Sequence, residues 1–296
     1  MASPYRVLSD ADVEHFLEHG YVLVKGCFPR DVADEWVAHG FTRLGYDPAD
    51  PSTWAESRIH MGSTKAVEVK DFSPRAWGAV CDLLGGEERV AQPARLSDGL
   101  IFNLNDGADE PWQPPSPALK GWHKDGDFFR HFLDSPEQGL LTLVCWSDVR
   151  PRSGATFVAT DSVAPVARCL ADNPQGLLPK ELPSRELIGA CSRFTEAVAE
   201  AGDIFLLHPY ILHASSQNEA RRPRVISNPP MQLKEPMNFN REDPADFSPV
   251  ERAGLRGLGV ERYAFVPTGE RETFVPERVL RQRERMEQEK ARLAQS

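Results

Sequence analysis

The feature that most constrains the fold is a series of short apolar segments between about residues 96 and 232. Clusters of Gly, Pro, Asp and Asn, which favour turns, separate these segments. Apolar or alternating runs of this length are typical of strands rather than of helices. The sequence therefore predicts a mainly β core, either a sandwich or a barrel. The segments are GLIFNLNDG, GLLTLVCWSDV, GATFVATDS, GDIFLLHPYILHASS and RPRVISNPP.

The sequence before this region predicts flanking helices. Ser9 can cap a helix that Gly20 ends, and the alternating segment YVLVKGCF then predicts a strand. A second helix is expected to begin after Pro29, and a third, SPRAWGAVCDLLGG, to end at Gly85. No linker separates the helical and β parts, so we expect one domain rather than two.

The expected domain spans residues 1–296, with a helical N-terminal part of about 1–95 and a β core of about 96–232. A C-terminal extension of about 233–296 ends in the charged segment PERVLRQRERMEQEKARLAQS. This segment carries one apolar residue per heptad, which is too few for a coiled coil. It predicts a solvated, frayed helix, and a homo-oligomer is possible but not indicated.

The charge composition of the chain limits the classes of molecule that it is expected to bind. The chain has 34 Lys and Arg against 44 Asp and Glu, a net charge of −10, without a basic stripe. We therefore expect no binding to nucleic acid or to an anionic membrane. The N-terminus lacks a signal-peptide pattern, no apolar run is long enough to span a bilayer, and five dispersed cysteines suggest no disulfide framework. The expected setting is cytoplasmic, and the expected partner is a small molecule.

The segment GWHKDGDFFRHF contains an H-x-D motif, His123 and Asp125. Residues two apart in a strand share a face, so the imidazole and the carboxylate could bind one Fe(II), Mn(II) or Zn(II) ion. Lys124 would then point away from the ion as a solvated charge. Taken alone, such a motif is more often the polar end of a strand.

Two histidines, His208 and His213, compete as a third ligand, and their spacing alone does not choose between them. His213 is followed by Ser215 and, eleven residues later, by Arg224. An inward arginine in a β core needs an anionic partner, which a bound dicarboxylate would supply. This arrangement favours His213.

In this order the motifs resemble those of the phytanoyl-CoA dioxygenase family of Fe(II)- and 2-oxoglutarate-dependent oxygenases. The likeness runs from about Leu8 to Asn228. DADVEHFLEHGYVLVKGCF resembles the family's opening, WHKDGDF its H-x-D strand, WSDVRPRSGATFVATDS its DDVTPENGATRVVPGSH segment, and GDIFLLHPYILHASSQNEARRPRVIS its last ligand strand. Val163 stands where the family often has a histidine that is not a ligand.

The resemblance implies a double-stranded β-helix, that is, a jelly-roll, cupin-like core. It implies that His123, Asp125 and His213 form a facial triad for Fe(II). It also implies that Arg224, helped by Ser215, binds the distal carboxylate of 2-oxoglutarate, with O2 as the remaining cofactor.

The activity that the resemblance implies is oxidation of a C–H bond of a small molecule, chiefly hydroxylation, with release of succinate and CO2. Secondary metabolism is a candidate setting. The same cofactors also support desaturation, epimerisation or ring formation, whereas the carboxylate of Asp125 disfavours halogenation. Two other readings remain open, namely a zinc metallohydrolase, in which Arg224 has no evident role, and a non-catalytic barrel.

Substrate contacts follow less directly from the sequence. Trp122, Phe128, Phe129 and Arg130 flank the H-x-D motif and are candidates, although ordinary packing explains each of them equally well. The proline-rich loop 106–121 predicts a surface connection, with a lid over the site as the alternative.

Overall fold

The structure is a computed structural model that describes residues 4–294. Its helices are α1 (Asp10–His19), α2 (Arg30–Leu44), α3 (Val69–Phe72), α4 (Pro74–Leu84), α5 (Val163–Ala171), α6 (Ser184–Gly189), α7 (Pro249–Leu258) and α8 (Glu277–Leu293). Its strands are β1 (Tyr21–Val24), β2 (Arg58–His60), β3 (Ala66–Glu68), β4 (Arg95–Ser97), β5 (Ile101–Asn103), β6 (Leu140–Cys145), β7 (Thr156–Ala159), β8 (Phe194–Ala197), β9 (Ile204–Leu207), β10 (Leu212–Ser215), β11 (Arg224–Ser227) and β12 (Pro230–Met231).

The first helices begin and end where the sequence predicts. The Ser9 hydroxyl accepts from the Asp12 N–H, and the Asp12 carboxylate accepts from the Ser9 N–H, which completes a capping box. Gly20 ends α1 with φ at 71°, in the left-handed region that favours glycine. A Cβ at Gly20 would lie 2.5 Å from Ile211, so the glycine also lets α1 pack close to the β core.

A seven-stranded sheet forms one wall of the core. Its order is β1-β9-β6-β11-β5-β2, with β12 pairing β6, and its paired strands are antiparallel. The central strands β6 and β9 are buried at every position. Because β1 and β2 come from the N-terminal part, that part shares this sheet with the region after residue 96. This sharing supports our proposal that the chain forms one domain.

A smaller sheet, of order β10-β7-β8, supplies the second set of core strands, and β3 pairs with β4 in a separate two-stranded sheet. An isolated antiparallel bridge between His123 and His213 adds the H-x-D segment to the free edge of β10. The prediction of a mainly β core with flanking helices is confirmed, and the antiparallel sheets are those of a jelly roll.

Helices from both ends of the chain cover the sheets. In the C-terminal extension α7 packs against α1, α4 and α5. At the crossing with α5, a Cβ on Gly257 would lie 3.0 Å from the backbone of Ala164, so glycine permits the close approach. No helix between residues 4 and 294 has the length and apolar character that a bilayer crossing requires.

The C-terminal helix α8 is solvated over most of its length, as the sequence predicted, but one of its side chains is buried against the rest of the protein. Its Glu289 is 4% exposed and accepts from Arg43 of α2, which is 2% exposed; the Nη2 and Oε2 atoms are 2.9 Å apart. Arg43 also donates to Asp98, with Nη1 and Oδ2 2.9 Å apart. The sequence did not predict this contact, because α8 docks through buried charges, which apolar periodicity cannot reveal. On the exposed face, Glu277 and Arg281 form an ion pair at 3.8 Å.

Candidate metal centre and co-substrate site

A cavity of about 450 Å³ opens between the sheets and α8. Both sheets, the H-x-D segment and α8 contribute side chains to it. The polar and aromatic residues that line it include Arg58, His60, His123, Asp125, Phe128, Gln138, His213, Ser215, Arg224, Asn228, Arg278 and Gln282.

The two histidines of the predicted triad lie directly opposite each other. The His123 N–H donates to the His213 carbonyl, and the His213 N–H donates to the His123 carbonyl, each at 3.0 Å. Directly opposed residues of an antiparallel pair project their side chains to the same face. The imidazole centroids are consequently 4.3 Å apart, although ninety residues separate them in the sequence.

Asp125 completes the cluster. Its Oδ1 atom lies 3.4 Å from Nε2 of His123 and 3.6 Å from Nε2 of His213. The ligand atoms of the three residues all lie within 4.8 Å of one another. The other carboxylate oxygen, Oδ2, accepts from Nδ2 of Asn228 at 2.9 Å. One oxygen of Asp125 thus faces both imidazoles while a hydrogen bond orients the other.

The backbone determines which imidazole nitrogen is available. Nδ1 of His123 lies 2.8 Å from the Gly121 carbonyl, and Nδ1 of His213 lies 3.5 Å from the Ile211 carbonyl. A carbonyl only accepts, so in each neutral ring Nδ1 carries the proton and Nε2 keeps its lone pair. Both Nε2 atoms face Oδ1 of Asp125.

Charge balance in the cluster shifts the pKa values of its members. Burial raises the pKa of Asp125, but His213 and His123 lower it by more, so that the pKa lies well below the usual range of a carboxyl. Burial lowers the pKa of His123, and the hydrogen bond and charge of Asp125 reverse this into a net rise. The carboxylate is therefore ionised at neutral pH and available to a cation.

These residues fit a divalent metal ion. Ligands that bind one ion at about 2.1 Å in neighbouring positions lie about 3 Å apart, close to the spacing observed here. Two imidazoles and one carboxylate on one face suit Fe(II) and leave the opposite face open. The hydrogen bonds behind each ligand supply the outer support that metal sites need.

Arg224 lies on the wall formed by β11 and is 2% exposed. Its Nε donates to the Gly154 carbonyl at 2.7 Å and its Nη1 to the Ile101 carbonyl at 3.3 Å. Burial and, to a smaller extent, the charge of Arg58 lower the pKa of Arg224 to about 9. Within residues 4–294 Arg224 forms no ion pair, so a buried cation faces the cavity without a counter-charge. Ser215 lines the same cavity.

His208, the rejected alternative, lies away from the cluster. Its Nδ1 accepts from the Tyr210 N–H at 3.1 Å, and its Nε2 donates to the Val250 carbonyl at 3.1 Å. With both ring nitrogens engaged in the core, His208 has no free lone pair for a metal.

The expectation for Lys124 was wrong. Lys124 is only 9% exposed, and its Nζ donates to His131 Nδ1 at 3.0 Å and to the Asp125 carbonyl at 3.1 Å. Burial lowers its pKa to about 7. Alternation does turn the side chain away from the triad, but the far side of this segment is packed protein rather than solvent.

Of the four candidate substrate residues, only Phe128 lines the cavity. Trp122 and Phe129 are 7% and 0% exposed and pack in the interior. Arg130 turns to Glu272, with Nη2 and Oε2 2.6 Å apart. The chain turns after Asp125 at Gly126, whose φ is 114°, and beyond this turn only Phe128 of the three candidates stays at the cavity wall.

The proline-rich loop 106–121 lies against the segment that follows β10. Gln217 donates to the carbonyls of Gly107 and Pro111 and accepts from the Gln113 N–H. None of the loop's residues lines the cavity. The loop is therefore a surface connection in this structure, as the sequence favoured, and it contributes no side chain to the cavity.

Sequence reasoning missed the cavity residues outside the recognised motifs. Arg58 and His60 lie two apart on β2 and share a face, while Arg278 and Gln282 lie four apart on α8. Only these spacings could have indicated in the sequence that the residues share a face. Many strands and helices on protein surfaces have the same spacings, so they do not identify a cavity wall. Asn228 directly follows the RPRVIS segment, and no role was predicted for it.

Replacing Asn228 by Ala is expected to weaken iron binding without abolishing it. The change removes the hydrogen bond to Oδ2 of Asp125 but leaves all three ligands in place. Loss of such an outer partner typically costs about 10- to 100-fold in metal affinity. Competition with a metal chelator would measure this, and an unchanged affinity would contradict a supporting role for Asn228.

Comparison with known proteins gives one family match. The model of the family described as Phytanoyl-CoA dioxygenase (PhyH) matches residues 16–226. No curated protein matches the chain.

Solved structures similar to this chain include those of SnoN, HygX and SnoK. The epimerase SnoN, in complex with Fe3+, alpha ketoglutarate and nogalamycin RO, is 18% identical over 75% of this chain and 82% of its own, with a TM-score of 0.46. HygX from Streptomyces hygroscopicus, with nickel and 2-oxoglutarate bound, is 13% identical over 77% and 88%, with a TM-score of 0.43. The carbocyclase SnoK from nogalamycin biosynthesis is 14% identical over 78% and 87%, with a TM-score of 0.45. At these values the likeness supports no argument about the substrate.

Proposed function

Because the chain belongs to the phytanoyl-CoA dioxygenase family, we propose that it hydroxylates a C–H bond of a small molecule, with release of succinate and CO2. The chain is a 2-oxoglutarate-dependent non-haem iron enzyme, and its cofactors are Fe(II), 2-oxoglutarate and O2. The residues that hold these cofactors and the outcome of the oxidation are the parts that we propose.

The observation that carries the proposal is the juxtaposition of a three-ligand cluster and an unpaired buried arginine in one cavity. His123, Asp125 and His213 present three donors toward one point. Arg224 faces the same cavity without an ion pair among the described residues, which is costly unless an anion arrives. A dicarboxylate that binds iron at one end and Arg224 at the other satisfies both.

The proposal assigns a role to each polar residue of the site. His123 and His213 bind the iron through Nε2, Asp125 binds through Oδ1, and Asn228 holds that carboxylate in place. Arg224 orients the distal carboxylate of 2-oxoglutarate, with Ser215 beside it. Bound iron and 2-oxoglutarate supply the oxidising power, while the protein supplies position and a partly apolar wall that excludes water. Leu141, Leu143 and Ile226 form that wall.

Desaturation, epimerisation and ring formation remain second candidates because they need the same cofactors and the same residues. The substrate's geometry decides among these outcomes. A zinc metallohydrolase is disfavoured because it would leave the buried charge of Arg224 without a partner.

Spectroscopy of the anaerobic protein tests the proposal. Fe(II) and 2-oxoglutarate together should produce a weak metal-to-ligand charge-transfer band in the visible, and Zn(II) with 2-oxoglutarate should produce none. Iron that is demonstrably bound without the band would contradict the proposed function.

Replacing Arg224 by Ala is expected to raise the 2-oxoglutarate concentration needed for the band, with iron content unchanged. Losing one partner of a buried charged pair costs about 2–5 kcal/mol, which corresponds to a change in Kd of at least about 30-fold. Arg222→Ala is the matched control, since Arg222 is exposed two residues away. Equal affinities in the two variants would show that Arg224 does not hold the co-substrate.

A further inference from the structure

The cavity contains three guanidinium groups with different surroundings. Arg278 of α8 is fully paired, because its Nε and Nη2 donate to the two carboxylate oxygens of Asp127 at 2.7 and 2.8 Å. Arg224 is buried and is matched by the distal carboxylate of 2-oxoglutarate under the proposed function. Arg58 lines the cavity from an exposed position, and within the described part of the chain its side chain forms neither an ion pair nor a hydrogen bond.

The β-sheet register places Arg58 at a distance from the co-substrate position. Asn103 of β5 pairs with Arg224 on one side and with Arg58 on the other. Residues in such a row share a face of the sheet, and two strand spacings put the Arg58 and Arg224 backbones about 10 Å apart. Arg58 therefore faces the cavity as a second cationic point beside the first.

The carboxylates that line the cavity are engaged by groups other than Arg58. Asp125 faces the two histidines of the triad, and Asp127 pairs with Arg278. His60, two residues from Arg58 on the same face, is neutral, because burial and, to a smaller extent, the charge of Arg278 lower its pKa to about 4. No carboxylate of the cavity lining is left to pair with Arg58.

The C-terminal helix completes the wall beside Arg58. The Gln282 side-chain amide donates to the Met61 carbonyl at 3.1 Å and to the His60 carbonyl at 3.4 Å, which ties α8 to the end of β2. This helix lies beyond residues 16–226, the part that the family model matches. A wall built from such a segment is suited to selecting this chain's own substrate.

We propose that Arg58 is a specificity-determining residue that binds an anionic group, a carboxylate or a phosphate, on the substrate. The inference rests on the proposed function, which assigns the iron to the triad and the distal carboxylate of 2-oxoglutarate to Arg224. A planar guanidinium binds either anion through two parallel hydrogen bonds. The anion would hold the substrate at the part of the cavity wall formed by β2 and α8 while its C–H bond reaches the iron.

Calorimetry on the anaerobic protein, saturated with Fe(II) and 2-oxoglutarate, tests the inference with benzoate, phenyl phosphate and neutral benzamide as probes. Both anions should bind more tightly than benzamide, and the tighter of the two identifies the carboxylate or the phosphate as the preferred group. In Arg58→Gln the affinity for that anion should fall by about 10- to 100-fold, since hydrogen bonds to charged groups contribute about 1.5–3 kcal/mol. Arg58→Lys should restore part of the affinity.

The matched control is Arg185→Gln, which removes the same charge from an exposed position on α6, outside the cavity. It should leave the binding of all three probes unchanged. Anion binding that does not depend on Arg58, or that is no tighter than that of benzamide, would overturn the inference. Weakened 2-oxoglutarate binding in Arg58→Gln, with probe binding intact, would also overturn it, because Arg58 would then serve the co-substrate. Failure of the proposed function would instead appear as a missing charge-transfer band, and the calorimetric comparison does not need that band.

Discussion

Replacing His213 by Ala is expected to abolish iron binding and, with it, 2-oxoglutarate turnover. His213 supplies one of three ligand atoms and faces Oδ1 of Asp125 at 3.6 Å. Two ligands two residues apart cannot hold a divalent ion in a facial arrangement as well as three can. Metal analysis after anaerobic loading with Fe(II), followed by gel filtration, would measure the loss, and far-ultraviolet circular dichroism would show that the fold persists.

His208→Ala provides the contrast, since this histidine is on the same chain segment and is equally buried. It should keep its iron and lose stability, because it leaves the Tyr210 N–H and the Val250 carbonyl without their partner. An unsatisfied buried group costs about 1–3 kcal/mol. Iron retained in His213→Ala and lost in His208→Ala would reverse the assignment of the third ligand.

Replacing Arg43 by Met is expected to cause the largest loss of stability among these variants. Arg43 lies between Asp98, which is 1% exposed, and Glu289, and it also donates to the Gly62 carbonyl at 2.7 Å. Removing one partner of a buried ionic network leaves uncompensated charge and typically costs about 3–5 kcal/mol. Urea unfolding would measure the change in free energy.

Two further variants locate the origin of that loss. Arg283→Met, at an exposed position of α8, should change the free energy of unfolding by no more than about 0.5 kcal/mol. Glu289→Met combined with Arg43→Met should recover part of the stability, because one of the two stranded carboxylates is gone. A cost near 1 kcal/mol for Arg43→Met alone would mean that α8 is not anchored by this network.

The candidate site was predictable because its motifs are local. His123 and Asp125 are two residues apart, and His213 precedes Arg224 by eleven, so strand geometry sets the face on which each pair lies. The opposed His123–His213 bridge could not be derived, since a backbone pairing across ninety residues depends on how the two sheets close. The resemblance to the family supplied what spacing alone left open.

The errors have a common physical origin. Lys124 was expected in solvent because it alternates away from the triad, yet it lies against His131 in the interior. The helix α8 was expected to be solvated because it is charged, yet Glu289 is buried. In both cases a polar group is buried because a specific partner binds it. Arg43, the partner of Glu289, is distant in the sequence, whereas His131, the partner of Lys124, contacts it across a turn.

The sequence by itself determined the local elements of this protein, including the capped helices, the short strands and the residue pairs that share a strand face. Those features follow from backbone sterics and from the periods of side-chain direction, which act over a few residues. Only the tertiary structure decided which residues line the cavity around the metal ligands. Strand register places Arg58 there, and a buried charge pair anchors α8 beside it. Such contacts depend on complementarity between distant groups, which leaves no periodic signal in the chain.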